Sequence, residues 1–457
     1  MNDLVEVRAG VYHDSVTLMR VSQALSARPG VEVAVVAMAT ELNVALARDL
    51  GFTVPPATPG DLLIAIRAAS EDELSAAVAE LDRRLAERTA GGGAGRQDEA
   101  HPRTTRSAAR SWDATMVLVS VPGEHAFAEA LDAIEAGLSV MIFSDNVPVE
   151  QEILLKDRAR ERGVLVMGPD CGTAVVAGAG LGFANVLRPG PVGVVAASGT
   201  GAQQVTSLLD HAGVGVSHVL GVGGRDLSAE VGGRSAVQAL RALDEDPATE
   251  LIVLISKPPA PEAAAAVREL GLTKPVVYAL LGPGQEDLTT ATEKVLGALG
   301  RPVPEWPSWP APGEPARPAP QSLRGLYSGG TLCTEAELIV GTGEFTDFGD
   351  DAYTRGRAHP MIDPTLRLEA LAEVDSGVVL LDVVLGHGAD PDPAAKLAPA
   401  IEAARARGVN VVVALIGTEG DPQGLRTQAA RLNEAGAAVF TSNAAAARHA
   451  RWMIGAA

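Results

Sequence analysis

Where the apolar run ending at Ala197 stops, the chain continues Ser198-Gly199-Thr200-Gly201 and passes at once into a helix-forming segment. Small and hydroxyl-bearing residues at such a junction leave backbone N–H groups open at the positive end of a helix dipole, a common setting for a bound anion and often for a phosphate. The same residues also suit an ordinary N-cap, with Ser198 or Thr200 satisfying the free amides. The spacing is neither that of a Walker loop nor GxGxxG. A second junction, Tyr327-Ser328-Gly329-Gly330-Thr331, repeats the chemistry far along the chain. Two such helix starts either face one ligand from opposite sides or are unrelated caps.

Three further clusters carry groups with defined chemistry. In Gly221-Val-Gly-Gly-Arg-Asp-Leu-Ser-Ala-Glu-Val-Gly-Gly-Arg234, Gly223 and Gly224 permit close backbone approach to a ligand, and Arg225 suits a carboxylate or phosphate. A solvated loop with a surface ion pair explains them equally well. Met167-Gly-Pro-Asp-Cys-Gly-Thr173 offers Cys171 as a nucleophile without an identifiable base, so a small buried thiol is the favoured reading. The stretch Phe345 to Arg367 gathers Asp350, Asp351, Arg355, Arg357, His359, Asp363 and Arg367 with neither helical nor strand periodicity. Such a segment belongs at an active site, an interface or a surface rich in ion pairs. No metal-ligand spacing is present in it. Lys257 in Ser-Lys-Pro-Pro and His387 in Leu-Gly-His-Gly each follow an apolar run. The lysine meets an anion or is simply solvated, and the histidine reads as a loop residue.

The elements that position these clusters are apolar runs alternating with Ala/Leu/Glu-rich helical segments. Runs such as VGVVAASG, LIVLISKPP and VVLLDVVLG are apolar throughout, which indicates strands buried on both faces of parallel sheets. In such sheets, ligands sit at the carboxyl ends of the strands. The expected fold class is α/β, with several Rossmann-like or flavodoxin-like parallel-sheet domains. A small N-terminal α/β domain spans 1–87, followed by a Gly/Arg-rich linker at 88–111. The centre splits at the turn-rich stretch Gly182–Pro191 into units at 112–190 and 191–300. A Pro-rich linker at 301–320 leads to a last unit at 321–457.

Composition narrows the function classes. The net charge is −20, from 37 basic and 57 acidic residues, so a nucleic-acid partner is not expected. No apolar run reaches the roughly 18 residues of a membrane span. The N-terminus lacks a signal-peptide pattern and only two cysteines are present, so a cytoplasmic protein is the simplest expectation.

The stretches YHDSVTLM, FSDNVPVEQEI, LVMGPDCGT, FANV, GVVAASGTG, GVGGRDLSAEVGG, SKPP, GLYSGGTL, FGDDAYTRGRAHPMIDPTLR and LLDVV resemble the FdrA family, itself related to the succinyl-CoA synthetase and acyl-CoA ligase superfamily. The resemblance implies a succinyl-CoA synthetase-like fold, with a CoA-binding-type domain at 112–190 and ligase-type domains at 191–300 and 321–457. It raises CoA as the one candidate cofactor and no metal. In the wider superfamily a phosphohistidine lies between two helix N-termini. Here Leu281-Gly-Pro-Gly-Gln-Glu-Asp287 occupies the corresponding place and contains no histidine, and the N-terminal part has no room for an ATP-grasp domain. The implied activity is that of an oxamate carbamoyltransferase subunit: oxalurate and phosphate give oxamate and carbamoyl phosphate, with partner subunits. On that view Ser198, Gly199, Thr200, Gly201, Ser328, Gly329, Gly330 and Thr331 hold the phosphoryl group, with Gly223, Gly224 and Arg225 beside them. Arg225, Arg355 or Arg357 grips the carboxylate of the 2-oxo acid amide. His359 does acid–base work because its ordinary pKa is near neutrality. The alternatives are an acyl-CoA ligase-type subunit without the phosphohistidine, and a non-catalytic ligand-sensing or scaffold subunit. Expected partners are a phosphate or acyl phosphate, companion subunits and further copies of the chain.

Overall fold

The computed structural model describes residues 2–11, 13, 15–89, 102, 104–313, 321–354 and 357–455. They form two compact units: Met1–Ser111 with Ser120–Pro122 and Asp351–Ala358, and Trp112–Val119 with Gly123–Asp350 and His359–Ala457.

The first unit runs β1 (Asn2–Arg8), α1 (Ser15–Ser26), β2 (Val31–Met38), α2 (Glu41–Asp49), β3 (Leu62–Ala68), α3 (Glu71–Thr89) and α4 (Thr105–Ser111). Its sheet has the order β1-β3-β2 with both pairings antiparallel, so this α/β unit departs from the parallel pattern expected of the chain as a whole. Central β3 is covered on both faces. Leu62, Ile64 and Ile66 pack with Leu18, Leu25 and Leu81, while Leu63 and Ala65 pack with Ala47 and Phe52. The stretch expected to be a linker contributes α4, and its residues 90–101 lie outside the described ones.

The second unit begins with β4 (Met116–Val119), α5 (Gly123–Glu135), β5 (Ser139–Ile142), α6 (Val149–Arg162) and β6 (Val166–Met167), a parallel three-stranded sheet. There follow β7 (Thr173–Val176), β8 (Ala179–Gly182), β9 (Pro189–Ala197), α7 (Gly199–His211), β10 (Val216–Gly221), α8 (Arg234–Glu245), β11 (Leu251–Ser256), α9 (Pro261–Arg268), β12 (Val276–Leu280) and α10 (Leu288–Ala298). Their sheet is ordered β12-β11-β9-β10-β7-β8, parallel from β9 to β12. The hairpin β7–β8 pairs antiparallel with β10, so the boundary between the two central sheets lies before Thr173, not at Gly182–Pro191. Turn residues at 177–178 fold a hairpin back on this sheet, and the sequence gives no sign of which sheet receives it.

The last part comprises β13 (Ser308–Trp309), β14 (Leu323–Tyr327), α11 (Gly330–Val340), β15 (Glu344–Asp347), α12 (Asp351–Thr354, grouped with the first unit), α13 (Thr365–Ala372), β16 (Val378–Val384), α14 (Pro393–Ala406), β17 (Asn410–Ile416), α15 (Leu425–Glu434), β18 (Ala438–Phe440) and α16 (Asn443–Met453). The sheet order is β13-β18-β17-β16-β14-β15, parallel except for β13, which is donated by the Pro-rich stretch and runs antiparallel to β18. Residues 314–320 of that stretch lie outside the described ones.

As the continuous apolar runs require, every residue of β11 and β16 is buried. The sheets of the second unit share contacts. Met141, Met167 and Cys171 pack with Val195, Leu240 and Leu254. Asn185 reaches from the β8–β9 connection to the Leu385 carbonyl (3.0 Å) and the Asp421 carboxylate (2.8 Å).

Candidate functional site

Five strands of the second unit end together. The parallel registers set Ser256 against Ala197, Tyr327 against Asp347 and Leu326 against Leu381. The residues that follow, Lys257, Ser198, Ser328 and Asp382, are thereby brought to the carboxyl edges of two facing sheets.

Ser198 is the N-cap of α7 and its Oγ accepts a hydrogen bond from the Gly201 N–H (2.9 Å). The same hydroxyl donates to Thr331 Oγ1 on the first turn of α11 at 2.7 Å, joining the two helix starts directly. Glycine permits this approach. A Cβ on Gly201 would lie 2.6 Å from Ser198 Oγ, and one on Gly329 would lie 2.6 Å from Thr200 Oγ1. Neither helix has an acidic residue in its first turn, so neither positive end is neutralised from within its own helix.

A layer of charged groups supports the α11 start. Asp382, fully buried within β16, accepts from the Ser328 N–H (2.7 Å) and the Ser328 hydroxyl (2.9 Å) and pairs with buried Arg367 at 2.9 Å. Burial raises the Asp382 pKa, and Arg367 and Ser328 oppose that rise. Asp382 Oδ2 and Arg367 Nε are both buried without a hydrogen-bond partner. Nearer the opening, Lys257 and Asp347 flank Gly330: a Cβ there would lie 2.6 Å from Lys257 Nζ and would also collide with the Asp347 carboxylate. Asp347 accepts from the Gly349 N–H at 2.9 Å, and its pKa is raised by burial.

The expected site residues therefore divide. Ser198, Gly199, Thr200, Gly201, Ser328, Gly329, Gly330 and Thr331 form one assembly. Gly223, Gly224 and Arg225 do not serve it. Gly223 takes φ +89° against the Pro169 carbonyl, and Gly224 faces the Asp170 carboxylate. Arg225 is spent on Glu152 (3.0 Å) and the Val147 carbonyl (2.7 Å). Its neighbour Asp226 is buried, pairs with Lys156 at 2.7 Å and accepts from the Ser235 and Ala236 N–H groups at the start of α8. Arg357 is exposed and belongs to the other compact unit, and Arg355 lies outside the described residues.

His359 does sit close by, with its Nε2 3.0 Å from where a Gly349 Cβ would be and its ring 5.7 Å from that of Phe183. The titration argument for it fails, however. Burial pushes its pKa down to about 4, so the imidazole is neutral at pH 7. Nδ1 accepts from the Met361 N–H (3.2 Å), which places the proton on Nε2 and leaves a neutral donor, not an imidazolium acid. Cys171 is buried with its thiol pushed up to about 12, which makes it inert.

Sequence reasoning passed over Asp382 and Asp347, left Lys257 between meeting an anion and being solvated, and gave Arg367 no individual role. For Asp382 a signal existed: it is the one charged residue in the apolar run Val378–Val384. In place of a histidine, the β12–α10 connection ends in Asp287, which caps Thr290 (2.9 Å), and the Leu288 N–H donates to Glu335 Oε1 on α11 at 2.6 Å. Burial raises the Glu335 pKa to about 7.

Three domain models match the chain: "AllF, heavy metal-associated domain" over residues 1–102, "CoA binding domain" over 188–277 and "CoA-ligase" over 326–453. The chain is 36% identical to the uncharacterized protein YahF of Escherichia coli K12, covering 97% of each. It is 30% identical to the succinate–CoA ligase [ADP-forming] subunit alpha 2 of Archaeoglobus fulgidus, over 43% of this chain and 67% of that one. Among solved structures, the dinucleotide-forming acetyl-coenzyme A synthetase 1 of Ca. Korarchaeum cryptofilum, in complex with phosphate and ADP, aligns at 17% identity with TM-score 0.32, covering 78% of this chain and 86% of that one.

The donor set of the first unit does not fit a soft metal. Such ions select thiolates, and residues 1–102 contain no cysteine. Among the described residues no cluster of three or more His, Cys, Asp or Glu side chains is placed to hold a metal ion. For CoA the fit is partial. The paired helix starts suit a phosphoryl group, whereas Arg225, the cation of the β10–α8 loop, is already neutralised by Glu152. Among the described residues no helix is long and apolar enough to cross a membrane.

Proposed function

Because this chain belongs to the family of YahF and, with it, to the succinyl-CoA synthetase/CoA-ligase superfamily, we propose that it is an acyl-CoA ligase-type subunit that holds the phosphoryl group of a free acyl phosphate between α7 and α11. The observation that carries this reading is the Ser198–Thr331 hydrogen bond, which brings onto one spot two helix starts that have no acidic residue in their first turns. Open N–H groups at Gly199, Thr200, Gly330 and Thr331 hold the phosphoryl oxygens. They stabilise the charge that gathers there as the acyl C–O bond breaks and phosphate departs. Asp382, with Arg367 behind it, fixes the Ser328 N–H and hydroxyl and so orients the start of α11. His359 contributes a neutral Nε2–H. CoA, when bound, supplies the thiol that accepts the acyl group. The absence of a histidine between β12 and α10 favours a diffusible acyl phosphate over a phosphoenzyme.

The same absence supports a second, narrower reading, the carbamoyl transfer of the FdrA resemblance. Carbamoyl phosphate is itself an acyl phosphate. A phosphate oxygen attacks the ureido carbonyl of oxalurate, the C–N bond to the oxamate nitrogen breaks, and that nitrogen takes up a proton. Companion subunits, and a nucleotide-handling one in the ligase reading, complete either reaction.

Thermal melting with phosphate, acetyl phosphate, carbamoyl phosphate, CoA and ATP tests these readings, because a ligand of the folded state raises the melting temperature. Stabilisation by phosphate and acetyl phosphate is expected. Stabilisation by CoA or ATP with none by any phosphoryl ligand would overturn the phosphate-holding role. A response to carbamoyl phosphate much larger than to acetyl phosphate would favour the second reading.

A further inference from the structure

We propose that Lys257 is a substrate-binding residue that makes this site prefer a phosphoryl dianion to a singly charged carboxylate, an assignment that rests on the phosphate-holding reading above. Lys257 is placed by backbone register, not by chance of the surface. It is the residue after Ser256, which pairs with Ala197, so it leaves β11 beside Ser198. Its Nζ lies against the backbone of Gly330, the first residue of α11, where a Cβ would stand only 2.6 Å away. Glycine at 330 is what leaves room for the ammonium.

The electrostatics of that position are unfavourable without a ligand. A helix start carries about half a positive charge, and cations are stabilised at the opposite end of a helix. Here an ammonium is set against one such start and close to a second, and neither helix offers an acidic residue in its first turn. Among the described residues Lys257 makes no hydrogen bond and no ion pair, although it is close enough to Asp347 to oppose the rise of that carboxyl's pKa. Two helix starts and one ammonium together amount to about two positive charges, which Asp347 and Asp350 offset in part while Asp382 and Arg367 pair with each other. A phosphoryl group, carrying between one and two negative charges near neutral pH, supplies the missing countercharge; a carboxylate supplies less. Lys257 is also exposed, so the ammonium can meet a ligand arriving from solvent and follow it into the site.

Isothermal titration of the full chain with inorganic phosphate, acetyl phosphate and acetate, at two salt concentrations, tests the assignment. Lys257→Ala should weaken phosphate and acetyl phosphate binding by about tenfold or more, the loss of one charge-assisted hydrogen bond, and should flatten the salt dependence. Lys257→Arg should stay within about threefold of the natural chain, because the charge is kept. Ligand-free melting of Lys257→Ala should be no lower than that of the natural chain, because the ammonium makes no hydrogen bond or ion pair there and stands against a helix start. Phosphate binding by Lys257→Ala within twofold of the natural chain overturns the assignment alone, provided Gly329→Val, which drives a side chain into Thr200, has lost it. Absence of phosphate and acetyl phosphate binding in the natural chain overturns both the assignment and the reading beneath it.

Discussion

The start of α8 and the starts of α7 and α11 are all glycine-rich, all follow parallel strands, and all present free amides, yet they are finished in opposite ways. At α8 the chain provides its own anion. The Asp226 carboxylate accepts from Ser235 (3.0 Å) and Ala236 (2.8 Å), and Lys156 neutralises it at 2.7 Å. At α7 and α11 the caps are hydroxyls and bare glycine, joined to one another through Ser198 and Thr331. The distinction is where the internal carboxylate stops: Asp382 takes the Ser328 N–H ahead of α11, whereas Asp226 takes amides of the first turn of α8 itself.

The largest effect should come from breaking the closed side of this comparison. Asp226→Ala takes one of two carboxylates from buried Lys156, which keeps Glu152, and leaves two α8 amides unmet, so it should cost about 3 kcal/mol or more in urea unfolding. A loss below about 1 kcal/mol would mean that Asp226 does not hold α8 together. On the open side, Gly329→Val drives a branched side chain into Thr200, 2.6 Å from the new Cβ. Phosphate affinity measured by titration should fall about 100-fold or more, near 3 kcal/mol; an unchanged affinity would place the anion elsewhere.

His359 gives a pH test of the packing around the α11 side. Its folded pKa of about 4 lies below the usual histidine value of 6.5, so the folded state binds fewer protons in that window. Stability should fall as pH drops from about 6.5 to 4, and His359→Gln should abolish this part of the slope. The difference should be about 2 kcal/mol at pH 4, less than the full shift implies because the residue as a whole is only half-buried. Parallel slopes in the two proteins would show that the imidazole is not held neutral. Arg225→Ala should do least: Arg225 is half exposed and buried Glu152 keeps Lys156 as a partner, so the loss should be about 1 kcal/mol, and phosphate titration should be unaltered. A weakened phosphate isotherm in that variant would return Arg225 to the site.

Much of this comparison could be read from residue types, and the part that could not has identifiable causes. The uniformly apolar runs gave the parallel sheets, and Ser-Gly-Thr and Gly-Gly-Thr gave the two helix starts. Arg225 looked like a ligand group because its partner is remote, with Glu152 73 residues away. His359 was judged by its free-solution pKa because nothing in its neighbours reveals that its ring is enclosed. The hairpin β7–β8 was assigned to the wrong side of a boundary because turn chemistry shows that a chain reverses, not which strand it joins. Lys257 was undervalued because only the register of β11 against β9 reveals what stands beside it.

The bond between Ser198 and Thr331 spans 133 residues of a single polypeptide. Both halves of the cradle are thus tethered in fixed one-to-one stoichiometry, and their meeting is a unimolecular event. Phosphate uptake per chain should consequently be insensitive to dilution, which would distinguish this arrangement from any cradle assembled between freely dissociating polypeptides.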